Sequence, residues 1–369
     1  HLGHRIELGE IEVAANAVDG ITRSCCIYET EKERLLLFYT GTCEKRQLIK
    51  TLRGILPPYM IPNTALQLTE MPMTKNGKID RNQLRKLYEE GLQDILKSNT
   101  PAFVFDTAVL QKRAAQIREI VGETVSLCYS MKANPFLVTT MLTCVDKLEV
   151  CSPGELAICK KLGVDGSRII YSGVNKGITD IGEAYEYGVG IFTAESIRHA
   201  DLIQQVFEAA DSDQKAEVIL RLNAGSQFGM AKEDLFDILQ HRENRYRSLN
   251  ITGIHYFVGT QRKRAKRKIK ELQMLLELFE EIRNLFGLEL KKLEYGPGFA
   301  VPYFADDDFS DTLFPVKELK DILNEVAQKV ELTIEMGRFF TAECGTYYTN
   351  VADLKTVGNA HYCIVDGGM

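Results

Sequence analysis

The 369-residue chain is predicted to be an α/β protein in which a (β/α)8 barrel follows a small α+β domain. Two observations predict the barrel: eight short β-rich segments alternate with helical stretches, and unusual polar and glycine residues gather at the carboxyl ends of those segments. A third places its chemistry. In Tyr129-Ser130-Met131-Lys132-Ala133-Asn134-Pro135 a lysine ends an apolar run just before a Pro-terminated turn, so it points into a mouth and not into solvent.

The β-rich segments are 125–130, 148–152, 168–173, 189–194, 217–224, 251–259, 291–296 and 331–337. Between them, stretches such as 153–162 and 265–286 repeat apolar residues at spacings of three and four, the mark of parallel βαβ units with helices outside. Eight such units close into a barrel whose chemistry sits at the carboxyl ends of the strands. Those ends carry Lys132, Ser152, Arg221, His255, Gly259-Thr260, Gly296-Pro297-Gly298, Glu335 and Arg338. A lone lysine after a strand is ordinarily a surface residue; its company here argues for a site.

A lysine at a barrel mouth can form a Schiff base with an aldehyde cofactor. Gly296-Pro297-Gly298 lets backbone approach a phosphate, with Arg338 and Thr260 as further donors. Glu335 could keep a pyridine nitrogen protonated. Together these describe pyridoxal phosphate, an electron sink for carbanions at Cα.

Eight motifs occur in order: Phe103-Val104-Phe105-Asp106, residues 129–135, Ser152-Pro153-Gly154-Glu155-Leu156, Phe228-Gly229-Met230, 253–261, 296–299, 335–338 and 365–369. On these, residues 101–369 resemble the fold-type III pyridoxal-phosphate decarboxylases, the ornithine and diaminopimelate decarboxylase family. The resemblance implies pyridoxal 5'-phosphate as cofactor and a homodimer formed through the barrel and a carboxyl-terminal β domain. Lys132 would carry the cofactor, Glu335 would pair with the pyridinium nitrogen, and Gly259, Thr260, Gly296, Gly298 and Arg338 would hold the phosphate. Arg221 would support the ring, and Asp366 matches an aspartate near the substrate end of the family site, with a strand-to-turn cap as its alternative role.

The chain departs from the family pattern in three places. Phe257 stands where the family stacks a histidine on the ring; it can stack but not hydrogen-bond. Pro297 replaces the middle glycine of the phosphate turn and removes a backbone N–H. Glu149 stands where Asp is common. The aromatic replacement is similar to butirosin-pathway members that decarboxylate an aminoacyl group tethered to a carrier protein.

The amino-terminal part carries three more motifs in order: His4-Arg5-Ile6-Glu7-Leu8-Gly9-Glu10-Ile11-Glu12, Leu56-Pro57-Pro58-Tyr59-Met60-Ile61-Pro62, and Met71-Pro72-Met73-Thr74-Lys75-Asn76-Gly77-Lys78-Ile79-Asp80-Arg81. They resemble the mobile carboxyl-terminal subdomain of adenylation enzymes from nonribosomal peptide synthetases, with Asn76-Gly77 reading independently as a tight turn. By that resemblance Lys78 neutralises the acyl carboxylate and α-phosphate during adenylate formation. ATP and AMP would be ligands of a complete adenylation domain only. The expected organisation is 1–82 for this subdomain, 83–100 for a linker helix, 101–345 for the barrel and 346–369 for the start of a β domain, in a fragment cut at both ends.

Composition fits a cytoplasmic enzyme. No apolar run approaches the roughly 20 residues that span a bilayer, and no secretory signal is visible. The nine cysteines include Cys25-Cys26 but no Cys-x-x-Cys and no zinc spacing, so reduced core thiols and no metal are expected. A net charge of −6 gives no general attraction to nucleic acid. The basic run at 262–270 reads first as a solvated helix face, and second as a dock for an acidic carrier protein. His199, His241 and His361 read as structural, Tyr171-Ser172-Gly173 as part of the mouth, and Asp306-Asp307-Asp308 as a polar loop.

The expected activity is decarboxylation of a free amino acid of the diaminopimelate or ornithine class. The alternatives are decarboxylation of a carrier-tethered aminoacyl group, and an amino-acid-activating ligase with a non-catalytic barrel.

Overall fold

The computed structural model describes residues 6–30, 34–74, 76–210, 214–304, 307 and 311–367. The chain divides into two compact units, residues 1–112 with 343–369, and residues 113–342.

In the first unit α1 (Leu8–Asn16), β1 (Ile21–Glu29), β2 (Arg34–Gly41), α2 (Lys45–Ile55) and β3 (Thr64–Gln67) build a three-stranded sheet with β2 central, antiparallel to β1 and parallel to β3. Because both faces of β2 are covered, its apolar run is unbroken. Leu35, Leu37 and Tyr39 meet Ile11, Ala15, Leu48 and Leu52 on one side, and Leu36 and Phe38 meet Met71 and Leu84 on the other. The adjacent cysteines follow the same alternation, Cys26 joining the first cluster and Cys25 the second. All nine cysteines are free thiols and six are buried, which agrees with their expected role as core filler.

Next come α3 (Arg81–Ser98), where a linker helix is predicted, β4 (Ala102–Phe105) and α4 (Thr107–Val121), whose residues divide between the two units.

The second unit is the barrel. Its elements are β5 (Ser126–Ser130), α5 (Val138–Met141), β6 (Lys147–Val150), α6 (Pro153–Leu162), β7 (Ile169–Tyr171), α7 (Ile178–Glu186), β8 (Ile191–Ala194), α8 (Ile197–Ala209), β9 (Ala216–Arg221), α9 (Lys232–Gln240), β10 (Leu249–Phe257), α10 (Ala265–Phe286), β11 (Lys292–Gly296), α11 (Phe314–Lys317), α12 (Lys320–Ala327), β12 (Glu331–Met336) and α13 (Arg338–Thr341). Strands β5 to β12 pair in parallel in chain order, and β12 closes on β5. All eight predicted strands are present. Each of the segments predicted to reach residues 152, 173, 224, 259 and 337 stops short, because those residues have left the ladder for the loops that shape the mouth.

Strands buried on both faces read as apolar runs, and the helices are tied down locally. Ser152 caps α6 by accepting from Glu155 N, Ser196 caps α8 by accepting from His199 N, and left-handed Gly163 and Gly287 end α6 and α10. Inside the barrel Cys128, Ile170, Ile191 and Ile219 form an apolar floor. One glycine is set by strand contact: β10 has a register shift at Gly253, where any Cβ would collide with the Lys292 carbonyl of β11.

In the first unit again, β13 (Gly345–Tyr348) pairs antiparallel with β4, and β14 (Val351–Val357) with β15 (Ala360–Val365). The β4–β13 pairing groups residues 101–112 and 343–345 with this unit, whereas the sequence predicts them within the barrel. No described helix is long and apolar enough to cross a membrane.

Gly253→Ala is expected to destabilise the chain by about 1–3 kcal/mol through overpacking. Gly182→Ala, in the middle of α7 with open space around its Cα, is expected to stabilise it by about 0.5–1 kcal/mol. Urea unfolding midpoints of the two variants check the pair.

Candidate active site

Lys132 sits in a single 3-10 turn, Met131–Ala133, directly after β5. Asn134 ends that turn, its side chain accepting from Phe136 N at 3.0 Å. The Lys132 ammonium therefore stands over the mouth, with Nζ 3.0 Å from Glu149 Oε2 on β6 and 3.5 Å from Glu335 Oε1 on β12. Cys151 Sγ lies at 3.7 Å and the centroid of the Phe257 ring at 5.7 Å. Burial works against the lysine's charge, but Glu149 and Glu335 outweigh it and raise its pKa. Both carboxylates are almost fully buried, and Ser130 Oγ donates to Glu149.

Glu335 has a second neighbour, His255 Nε2 at 3.2 Å. Burial alone would raise its carboxyl pKa; Lys132 first, then hydrogen bonding with Glu149 and the charge of Arg221, hold it below the ordinary value. His255, buried and close to Arg221, has its pKa pushed down to about 3 and is neutral. Arg221, at the end of β9, donates to Glu195 Oε1 at 2.7 Å and lies over the rings of Phe228 and Phe257. Period two along the strands explains the grouping: His255 and Phe257, Glu294 and Gly296, and Thr333 and Glu335 share the inner wall.

The two glycine loops after β10 and β11 meet backbone to backbone. Gly298 has a left-handed φ of 58°, and a Cβ there would strike the Gly259 carbonyl, while one at Gly296 would strike the Phe257 ring. Arg262 N donates to Gly298 O at 2.9 Å, locking the two loops together. Thr260 is exposed, and Arg338 lies over the Tyr303 ring at the start of α13. A lysine flanked by carboxylates, an aromatic face at Phe257 and a side-chain-free glycine cradle fit the aldehyde, ring and phosphate of pyridoxal phosphate. Among the described residues no cluster of His, Cys, Asp and Glu could hold a metal.

The structure thus brings Lys132, Arg221, Phe257 and Glu335 together and sets Gly259, Gly296 and Gly298 side by side. Asp366 lies in the other unit, where it accepts from Thr100 Oγ1, Thr349 Oγ1 and Asn350 N. Lys78 lies in that unit too, exposed on the turn where Gly77 takes a φ of 72°. Residues 4–5, 75, 306, 308 and 368–369 of the quoted motifs fall outside the described residues. Asp307 accepts from Tyr303 N and Phe304 N, as in a polar loop.

Sequence reasoning missed Glu195, Lys176 and Glu294. Lys176 is buried, donates to Gly173 O at 2.6 Å and has its pKa lowered by burial to about 8. Glu195 lies one residue past the predicted end of its strand. Glu294 was within reach of the two-residue alternation that also places Gly296. The basic run divides: Lys268 is buried and donates to Arg262 O, and Arg262 pairs with Glu271, so these two are not a solvated face.

A family model, pyridoxal-dependent decarboxylase, pyridoxal binding domain, matches residues 107–342. The chain belongs to this family. Such decarboxylases are pyridoxal-dependent carboxy-lyases, and so is this chain. Among its relatives are a diaminopimelate decarboxylase of Aquifex aeolicus, 27% identical over 303 residues that cover 77% of this chain and 71% of the relative. Another is the L-glutamyl-[BtrI acyl-carrier protein] decarboxylase of Niallia circulans, 26% identical over 73% of this chain and 67% of the relative. The crystal structure of AQ1208 from Aquifex aeolicus superposes with a TM-score of 0.67 at 26% identity, covering 75% of this chain and 67% of that one. SrLDC in complex with PLP and cadaverine shares the fold, with a TM-score of 0.66 at 24% identity over 79% and 73%.

Arg221→Met leaves Glu195 buried without its cation and is expected to destabilise the chain by about 3–5 kcal/mol. Adding Glu195→Gln should recover much of that loss, as a double-mutant cycle in urea will read.

Proposed function

We propose that the chain releases CO2 from the Cα of an amino acid of the diaminopimelate, lysine or ornithine class. The observation that carries this reading is the Lys132 ammonium held between Glu149 and Glu335 at the barrel mouth. Lys132 is the attachment point for pyridoxal phosphate. Bound there, the cofactor supplies an electron sink for the pair left on Cα when the carboxylate departs. Glu335 would hold the proton of the ring nitrogen, and Phe257 would offer an aromatic face to the ring. Gly259, Thr260, Gly296, Gly298 and Arg338 hold the phosphate, and Arg221, fixed by Glu195, keeps the inner wall in place. Orientation within the barrel aligns the scissile bond.

A second reading has its own observation. With Arg262 and Lys268 committed internally, Arg264, Lys266, Arg267 and Lys270 are exposed at the head of α10, without ion-pair partners among the described residues. Cations at a helix amino terminus oppose its dipole at about 0.3–1 kcal/mol each. A patch kept at that cost suits an acidic partner, and one relative is named for a carrier-bound glutamyl substrate. In this reading the substrate is an aminoacyl group tethered to a carrier protein.

The expected adenylation subdomain is the finer part of the proposal. The sheet of β1 to β3 and the exposed Lys78 turn are compatible with it, and ATP would bind only with a large adenylation subdomain present. The proposed homodimer has support in exposed Leu354, Val357, Tyr362 and Ile364 on β14 and β15.

CO2 release from free diaminopimelate, lysine and ornithine, and from a carrier-bound glutamyl thioester, tests the reading. Release from either set that disappears in Lys132→Ala supports it; release that survives in Lys132→Ala overturns it. If the thioester is the substrate, Lys266→Glu/Arg267→Glu/Lys270→Glu should raise its KM about tenfold through lost steering, with the KM for a free amino acid unchanged.

A further inference from the structure

Three buried polar atoms on the inner wall have no hydrogen-bond partner among the described residues: Nδ1 of His255 and both carboxyl oxygens of Glu294. Each orphan of this kind costs about 1–3 kcal/mol, so three in one place require a cause. His255 and Glu294 are direct cross-strand partners in the β10–β11 ladder, with side chains on the same face.

The hydrogen positions follow from the neighbours. Glu335, kept ionised by Lys132 and Arg221, is an acceptor, so His255 Nε2 carries the hydrogen that meets Glu335 Oε2 at 3.2 Å. The imidazole is neutral, which leaves Nδ1 a bare acceptor in need of a donor. An ionised Glu294 has none to give. Its surroundings disfavour that form: burial comes first, then the like charges of Glu335 and Glu149, against the attraction of Lys132 and Arg221. Cys128 on β5 also faces this group. Arg221 is committed to Glu195, and Lys132 is shared by Glu149 and Glu335, so a third carboxylate here has no cation of its own.

We propose that Glu294 is a positioning residue: a neutral carboxylic acid whose O–H donates to His255 Nδ1 and so fixes the imidazole Nε2–H on Glu335. As direct cross-strand partners the two side chains are neighbours on one face, and the bond would satisfy two of the three orphans. The wall then carries a chain of donors running Glu294 to His255 to Glu335, and Glu294 takes the proton that lets Glu335 remain an anion opposite Lys132. This rests on the reading of Glu335 as the charge that faces the cofactor ring, but the proposed chain of bonds does not require the cofactor.

The test uses the cofactor-free 369-residue chain labelled with 15N-histidine, its His255 signals assigned with His255→Gln. Long-range 1H–15N spectra should show the Nε2–H tautomer with a hydrogen-bonded Nδ1 in the wild type and in Glu294→Gln, whose amide can donate in the same way. Glu294→Leu should lose the Nδ1 bond. Pyridoxal phosphate binding to the same proteins should be unchanged in Glu294→Gln and about tenfold weaker in Glu294→Leu. A Leu spectrum identical to the wild type, or a Gln variant that behaves like Leu, overturns the proposal. Should no variant bind cofactor while the spectra behave as stated, the cofactor role of Glu335 fails and the hydrogen-bonded chain stands.

Stability gives a readout that needs only the Gln variant. An acid whose folded pKa is raised binds more protons folded than unfolded, so its contribution is full below the unfolded pKa and declines as pH rises toward the folded value. Glu294→Gln removes that decline, and its stability relative to wild type should grow as pH rises above the ordinary carboxyl range. A flat difference overturns the neutral-acid assignment.

Discussion

The mouth of this barrel depends on one ion cluster, the Lys132 ammonium between the Glu149 and Glu335 carboxylates. Burying a carboxylate costs several kcal/mol unless a cation and hydrogen bonds offset it. Two carboxylates on two strands are held here by a lysine from the turn after β5 that reaches both, with Ser130 donating to Glu149 and His255 beside Glu335. That requirement fixes the turn, explains why Asn134 and Pro135 end it, and aligns β12, β5 and β6 at their carboxyl ends. Arg221 with Glu195 repeats the solution on the opposite part of the wall.

The cluster also separates two lysines that sequence alone would leave equivalent. Lys176 is sealed in, with its Nζ committed to Gly173 O and its pKa lowered by burial. By pKa alone it is the better nucleophile. Lys132 keeps a side chain 47% exposed, beside the aromatic face and the carboxylate that a pyridine ring needs. Access and neighbours favour Lys132 as the amine that would meet an aldehyde, with Glu149 and Glu335 beside it.

Much of the fold was legible in the sequence because a parallel barrel repeats one signal eight times. Apolar runs marked β5 to β12, and their polar ends marked the rim. What local pattern could not show was which polar residues the closure would bury. Glu195 and Lys176 look like ordinary loop and strand-end residues until the strands curve them inward. The run at 262–270 read as one solvated stretch, yet tertiary packing takes Arg262 and Lys268 into the structure and leaves their neighbours outside. The antiparallel pairing of residues 102–105 with 345–348 links segments far apart in sequence, so no local signal announces it.

The most direct measurement is borohydride reduction of the chain loaded with pyridoxal phosphate, followed by peptide mapping of the pyridoxyl label. Label on Lys132, with Lys176 unmodified, is the expected result. Label on Lys176, or none on either lysine under saturating cofactor, would contradict the assignment of Lys132 as the cofactor-bearing residue.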